Sequence, residues 1–292
     1  GTLHDTERVQ PWVIEALGLR SHGLTTRSAA PVVTVGDNQE TRVLPHPDLS
    51  DWQREVFTTR PLIQKLCAAP PPDIGSTAPI WPLVSPALSA LRLGRDRVMD
   101  WLRVGPLCLD DWLTEWFDDP ILQAGVSLPA LMGTWMGPRS PTSATALLFS
   151  TALAGDEIVG GPAGLVAALT AAATQAGVQF QTGTAVTRIQ LDQGHVAGLT
   201  LADGSEVKAT QVLSSIGARR TLLNLVDPTH LPFAAERAAT PIRLRGLVAK
   251  LDLALSGPLP VPGQDGSTFS RIRIAPDLRT LEKAFDAAKH RR

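Results

Sequence analysis

The sequence predicts a mixed α/β chain whose two halves do different work. Three observations carry that reading. Upstream of about residue 155, apolar residues fall mostly at helical spacing. Between 178 and 215 they alternate with period two, and glycine-containing pairs separate the runs. All seven tryptophans (Trp12, Trp52, Trp81, Trp101, Trp112, Trp116, Trp135) lie in the first half, and tyrosine is absent.

Bulk properties set the frame. Hydrophobic residues make up 43% and charged residues 19% of 292, enough to build one large core or two modest ones. A net charge of −1 gives no general reason to bind nucleic acid or an anionic membrane. Cys67 and Cys108 have neither disulfide-framework nor zinc-site spacing and read as buried apolar thiols of a cytoplasmic protein. The six histidines show no metal-ligand spacing. Gly1 opens the chain with no charged-then-apolar leader pattern, and reads as a cloning scar, a processed end or the edge of a fragment.

Taken in order, residues 6–18 read as a short helix ending at Gly18. "PVVTV" (31–35) and "TRVLP" (41–45) flank "GDNQE" and predict a hairpin. Residues 51–69 read as helical, with Pro61 a break or a helix start. The proline-rich run 69–86 reads as an extended surface connection or a partly ordered loop. Helical spacing returns over 87–103. In "CLDDWLTEWFDD" (108–119), Asp110 or Asp111 is the expected N-cap, and Trp112, Leu113, Trp116 and Phe117 share a face. The acidic pairs at 110–111 and 118–119 read as solvated helix faces. Residues 120–155 carry one formal charge, Arg139, but Pro129 and "GPRSP" divide them into two helices too short to span a bilayer. A buried helical pair is the expectation there, with a membrane-dipping surface the sharper alternative.

The second half changes character. A helix over 164–176 stops at Gly177. Strands are expected at 178–181, 184–192, 195–202, 205–209 and 211–215, with Gln193-Gly194 and Asp203-Gly204 at two-residue hairpin spacing. Residues 217–238 read as helical with a break at "DPTHLP". "LRGLVAKLDLALS" (244–256) alternates and reads as a long strand; "STFSRIRIA" (267–275) reads as another, before a final helix. Residues 31–45 and 244–275 are expected to share a sheet roofed by the helices of 87–154.

The stretch "DEIVGGPAGLVAALTAAATQAGVQF" (156–180) poses the main functional question. A dinucleotide fingerprint needs G-x-G-x-x-G directly after a buried parallel strand, and an acidic ribose ligand about twenty residues on. Here Val159, Gly161 and Gly164 align, so the first glycine is missing. Asp156 and Glu157 interrupt the preceding strand, and Gln179 to Thr182 stand where the acid should be. The Rossmann reading fails on all three counts. No phosphate loop and no G-x-S-x-G nucleophile elbow occurs elsewhere.

A wider pattern does match. Residues 160–215 carry Gly160-Gly161, a helix, Gly177 before a strand, Val186 with Ile189, a meander from Gly194 to Gly204, then Ala209 with Val212, Leu213 and Ser214. This run resembles the central segment of phytoene desaturase-like (phytoene dehydrogenase-related) FAD-dependent oxidoreductases, relatives of the flavin amine oxidases. "RRTLLNLVDPTHLP" and "RGLVAKLDLALSGPLP" resemble that branch too, and "DDWLTEWFDDPILQAGV" is similar to its helical substrate region. The resemblance implies a substrate-domain mixed sheet with a helical cap, plus the β-meander of an FAD/NAD(P)-binding-type fold. It implies three stretches: a substrate-binding region over 1–154, a central segment over 155–238 that packs on an FAD domain, and a return to the substrate-domain sheet over 239–292. It also implies FAD as cofactor, with the backbone of Val186 at the adenine end and Glu157 and Ile158 towards the substrate side.

The family's FAD-binding βαβ unit and its glycine-rich closing segment have no counterpart in these residues. The chain alone is therefore expected to hold no tightly bound FAD. Its expected partners are an apolar substrate, isoprenoid or amine-like, and a separate FAD-binding domain. The alternative is a non-enzymatic module that binds a lipid or a partner protein and lacks a flavin of its own. The helix over 164–176 is apolar nearly all round, so dimerisation, aggregation or detergent binding is expected through it, while a peripheral membrane contact is the alternative for 120–155.

Overall fold

A computed structural model describes residues 9–68, 95–244 and 246–290, apart from Leu247, Pro258 and 265–268. The proline-rich run and residues 87–94, for which a surface connection and the start of a helix are expected, lie outside the described residues. In chain order the elements are α1 (Pro11–Ala16), β1 (Thr26–Arg27), β2 (Val32–Val35), β3 (Thr41–Leu44), α2 (Ser50–Ala68), α3 (Arg95–Val104), α4 (Leu109–Thr114), α5 (Pro120–Leu131), α6 (Ser143–Ala152), β4 (Glu157–Ile158) and α7 (Gly161–Gln175). There follow β5 (Val186–Asp192), β6 (His195–Leu201), β7 (Glu206–Lys208), α8 (Ala218–Arg220), α9 (Phe233–Ala239), β8 (Arg271–Ile274) and α10 (Leu278–Lys289). The mixed α/β class read from the sequence is the class observed. Two compact units divide the chain: Gly1–Ala172 with Gly246–Arg292, and Ala173–Arg245.

In the first unit, β2 is the central strand of a sheet ordered β3-β2-β8. It pairs antiparallel with β3, Val33 facing Val43, and parallel with β8, Val33 facing Ile272. Hence Val33 and Thr34 are fully buried. The expected sharing of a sheet by the hairpin and 267–275 is realised through Arg271–Ile274. The expected strand at 244–256 is not: among its described residues there is no strand, and Leu251, Leu253 and Leu255 stand exposed. Alternation marks which face a strand would bury, but a ladder also needs a partner edge, and none pairs with this stretch.

The helical layer packs α2 and α5 against α6. Trp52 anchors it, its ring 5.8 Å from that of Trp112 and 6.0 Å from that of Phe117. Two local expectations are corrected here. α2 runs through Pro61 without a break, because Trp52, Val56, Leu62 and Ile63 bury its face on both sides of the proline. The N-cap of α4 is Cys108, whose Sγ accepts from the Asp111 N–H at 3.4 Å, rather than Asp110 or Asp111. Trp112, Leu113 and Phe117 are buried as expected, whereas Trp116 is partly open to solvent. The apolar run 120–155 forms α5 and α6, and no described helix is long and apolar enough to cross a membrane.

Asp119 caps α5, accepting from the N–H groups of Ile121 (2.9 Å) and Leu122 (3.1 Å). It also binds the Arg42 guanidinium of β3, tying sheet to helix. Burial alone would raise its pKa; the Arg42 hydrogen bond and charge and the two N–H groups more than reverse this, so the net shift is downward. A carboxylate depressed in the folded state stabilises fully above its unfolded pKa, and that stabilisation is lost as pH falls through the folded pKa. Asp119→Ala is expected to cost about 1–2 kcal/mol at neutral pH and to flatten the acid side of the stability profile. Urea unfolding across pH checks this; a variant with an unchanged acid slope would refute the assignment.

In the second unit, β5, β6 and β7 form an antiparallel meander. Gln193 (φ 46°) and Gly194 (φ 83°) make the two-residue turn that the sequence predicts. The next connection differs. Leu201 O accepts from Gly204 N–H at 3.0 Å and Leu201 N–H donates to Ser205 O at 2.9 Å, so the loop is longer than two residues, with Gly204 at φ 83°. Asp203 accepts from the N–H and hydroxyl of Ser205 within this loop. Residues 178–181 and 211–215, expected as strands, form no ladder. Residues 217–238 hold α8, a π-helical turn over Thr221–Leu225, a 3-10 turn over Pro228–His230 and the start of α9. Asp227 caps that 3-10 turn through Thr229 and pairs with Arg188 of β5.

Candidate functional site

The glycine turn lies in the first unit. Ahead of it, β4 is two residues long and antiparallel to β1, with Ile158 facing Thr26 and Glu157 facing Arg27. A dinucleotide turn follows a buried parallel strand, so the geometry agrees with the missing fingerprint. Gly160 (φ 78°) and Gly161 (φ 57°) both adopt the left-handed conformation. A Cβ on Gly161 would meet nothing within 4 Å, but a Cβ on Gly164 would lie 2.3 Å from the Val159 carbonyl oxygen. The close approach in this motif is thus helix against its own entry strand. It joins α7 to a small core of Ile14, Leu19, Leu24, Ile158, Leu165 and Ala168.

That core places the two residues assigned to the substrate side. Ile158 is buried in it and borders a cavity of about 90 Å³ shared with Ile14, Arg20 and Thr26. Glu157 is held by the Arg27 guanidinium at 3.0 Å. Upstream, Arg60 and Gln64 of α2 donate to the carbonyls that end α6: Arg60 to Ala152 (3.2 Å) and Ala154 (2.6 Å), Gln64 to Ala152 (3.3 Å). Cationic and amide donors at a helix C-terminus answer its unpaired carbonyls and fix where the chain enters β4.

The second unit holds a larger cavity, of about 440 Å³, on one face of the meander. Val186, Ile189 and Leu199 form one wall; the extended segment 212–216 and Leu225 form the other. Apart from Ser214 and Ser215 the lining side chains are aliphatic, and none is charged. Leu213 is wholly exposed, and Ile216 is half exposed. Such a surface offers no cation to a diphosphate. On α7, Val166 and Leu169 are also exposed, while Leu165 and Ala168 are buried. Leu213→Asp is expected to roughly halve the binding of an environment-sensitive apolar dye and to lessen self-association. Dye fluorescence and light scattering test this, and an unaltered signal in both would discount the face.

Other chemistry is thin. Among the described residues there is no group of His, Cys, Asp and Glu able to hold a metal ion. Asp110 pairs with Arg139 at 2.8 Å, and Asp119 is the cap described above, so one carboxylate of each acidic pair is held in a structural contact. The thiols differ from expectation: Cys67 is exposed and Cys108 half-buried. What burial they have still pushes both thiol pKa values up, away from the reactive thiolate range.

Residues 131–273 match the family described as DAO, FAD dependent oxidoreductase. That region begins at the last residue of α5 and ends within β8, so it includes the glycine turn and the whole meander. The chain is 28% identical over 195 residues to the rat pyridine nucleotide-disulfide oxidoreductase domain-containing protein 2, covering 61% of this chain and 33% of that protein. The mouse protein of the same name is 27% identical over the same span. The chain therefore spans about a third of the length of these relatives. Among solved structures, wild-type putrescine oxidase bound to putrescine aligns with 80% of this chain and 51% of its own, at 14% identity and a TM-score of 0.44. A triple mutant of that oxidase aligns with a TM-score of 0.44 at 15% identity, over 80% of this chain and 50% of its own.

Proposed function

We propose that this chain is the substrate-binding portion of an FAD-dependent oxidoreductase that removes hydrogens from an apolar substrate, isoprenoid or amine-like, in the manner of the phytoene dehydrogenase-related enzymes. One observation carries the reading: within the region that matches FAD-dependent oxidoreductases, the face of the meander around Val186 is aliphatic and only partly covered, with Val186 and Leu213 exposed. A sheet of three short strands gains little stability unless that face packs on something. In this reading it packs on an FAD-binding domain, with the adenine end of the cofactor at Val186. Hydride chemistry belongs to the flavin when it is bound. This chain supplies the apolar surface, while the diphosphate cradle comes from the FAD-binding domain, since the glycine turn is spent on packing α7. The substrate side lies towards Glu157 and Ile158. The cavity there, about 90 Å³, covers no more than one end of an isoprenoid.

The test is flavin retention through gel filtration, read by visible absorbance. The 292-residue chain is expected to elute colourless even after incubation with FAD, and the product of its whole reading frame to elute yellow. Stoichiometric flavin on the chain alone would refute the division of labour. A whole-frame product that retains none would refute the oxidoreductase reading.

A further inference from the structure

The chain's net charge of −1 is unevenly spread. Residues 217–244, in the second unit, hold four arginines (Arg219, Arg220, Arg237 and Arg243) against two acids. One of the acids, Asp227, already pairs with Arg188 of β5. Glu236 is then the carboxylate left within this stretch to answer four guanidinium groups. Among the described residues none of the four arginines has an ion pair.

Two hydrogen bonds gather these residues into one region. Arg219 of α8 donates from Nη1 to the Ile242 carbonyl at 3.0 Å. The Ile242 N–H donates to the carbonyl of Ala239, the last residue of α9, at 3.2 Å. The first bond has a neutral acceptor, so it leaves the Arg219 charge in place. Large apolar side chains of the same region stand in water: Phe233 is 76% exposed and Leu244 62%, and Ile242 is exposed as well. In α9 the arrangement follows from helical spacing. Ala239 is buried and Ala235 half-buried, one turn apart on the inner side. Phe233 and Arg237, also one turn apart, fall on the opposite side, and both are exposed. An aromatic ring and a guanidinium thus face outward together, where a helix that only packs on its own unit would carry polar residues.

A partner has to satisfy both kinds of group. A nucleic acid or an acidic loop answers the arginines and leaves Ile242 and Leu244 in water. A neutral apolar surface covers the aliphatic groups and strips water from unpaired charges. An anionic bilayer does both, because its headgroup phosphates accept from guanidinium groups while its interfacial zone takes in Phe and Leu. We propose that the surface formed by α8, α9 and residues 242–244 docks on an anionic lipid bilayer. The surface stands whether or not the chain serves a flavin enzyme.

Flotation of the 292-residue chain with vesicles tests this. Phosphatidylcholine vesicles that contain phosphatidylserine are expected to carry the chain up a sucrose gradient, with binding to pure phosphatidylcholine about ten-fold weaker. Arg237→Gln and Arg243→Gln are each expected to weaken binding to the anionic vesicles about five-fold, and Phe233→Ser by a similar factor. All three positions are exposed, so the native melting profile is expected to persist. Phe233→Trp supplies a depth reporter, since the native tryptophans all lie at or before Trp135. The emission it adds is expected to be quenched by lipids brominated near the headgroup. No flotation, or equal flotation with neutral vesicles, would overturn the proposal. So would flotation that none of the three substitutions weakens, because another apolar face then makes the contact. Binding that is lost with the arginines but indifferent to Phe233→Ser, with the reporter unquenched, would identify a site for a nucleic acid or an acidic protein and overturn the lipid assignment.

Discussion

Trp52→Ala is expected to lower the unfolding free energy by about 3–5 kcal/mol, the usual cost of deleting a large buried aromatic. Trp52 is almost fully buried and packs tilted against Trp112 and edge-on against Phe117, so its loss empties the meeting point of α2 and α4. The indole also carries a penalty. Its Nε1–H is buried without a partner among the described residues. Trp52→Phe keeps a ring in the site and removes that orphan donor, which offsets part of the lost contact area. The phenylalanine variant is therefore expected to stay within about 1–2 kcal/mol of the native protein. Denaturant unfolding of both variants decides the matter: if they are equally damaging, the orphan donor carries no weight; if both are mild, Trp52 does not organise this core.

Gly125→Ala is the second large effect. Alanine is ordinarily the better helix former by about 1 kcal/mol, so in isolation the change would stabilise α5. Here a Cβ would sit 2.1 Å from the Thr34 Oγ1 and 3.0 Å from its Cβ. Thr34 is fully buried in the central strand, between β3 and β8. The helix cannot easily back away, because the Gly125 carbonyl accepts from Arg273 Nη1 of β8 at 2.6 Å. The strain is expected to cost about 1–3 kcal/mol net. Removing the opposing hydroxyl with Thr34→Ala should recover part of that loss, and a double-mutant cycle measures the coupling. Additive single effects would show that the helix and the strand are not in the contact described.

These two contacts show what the sequence could and could not convey. The meander was legible because strict alternation and Gln193-Gly194 are local signals, each readable within a few residues. Residues 244–256 alternate as cleanly, yet they form no strand, because the hydrogen-bonding partner of a strand is not written in the strand itself. Pro61 misleads in the opposite sense. A proline inside a helix removes one backbone bond, but buried residues on both sides of it hold α2 together. At the candidate site, the failure of the dinucleotide fingerprint could be read from single positions. The cavity beside Val186 could not, since its second wall is a segment that the pattern assigns to a strand.

The second unit, Ala173–Arg245, has a thermodynamic consequence of its own. Its described side chains bury little beyond Ile189, Leu201 and Ala239, whereas the first unit closes over two apolar cores. Free energy of opening follows buried apolar surface, so the meander is a separate foldon of low stability, able to open while the helical layer stays intact. Its amide protons are expected to exchange with solvent long before those of α5 and α6. A single unfolding temperature is therefore not expected to describe this chain, and anything that clamps the meander face is expected to act first on that local opening.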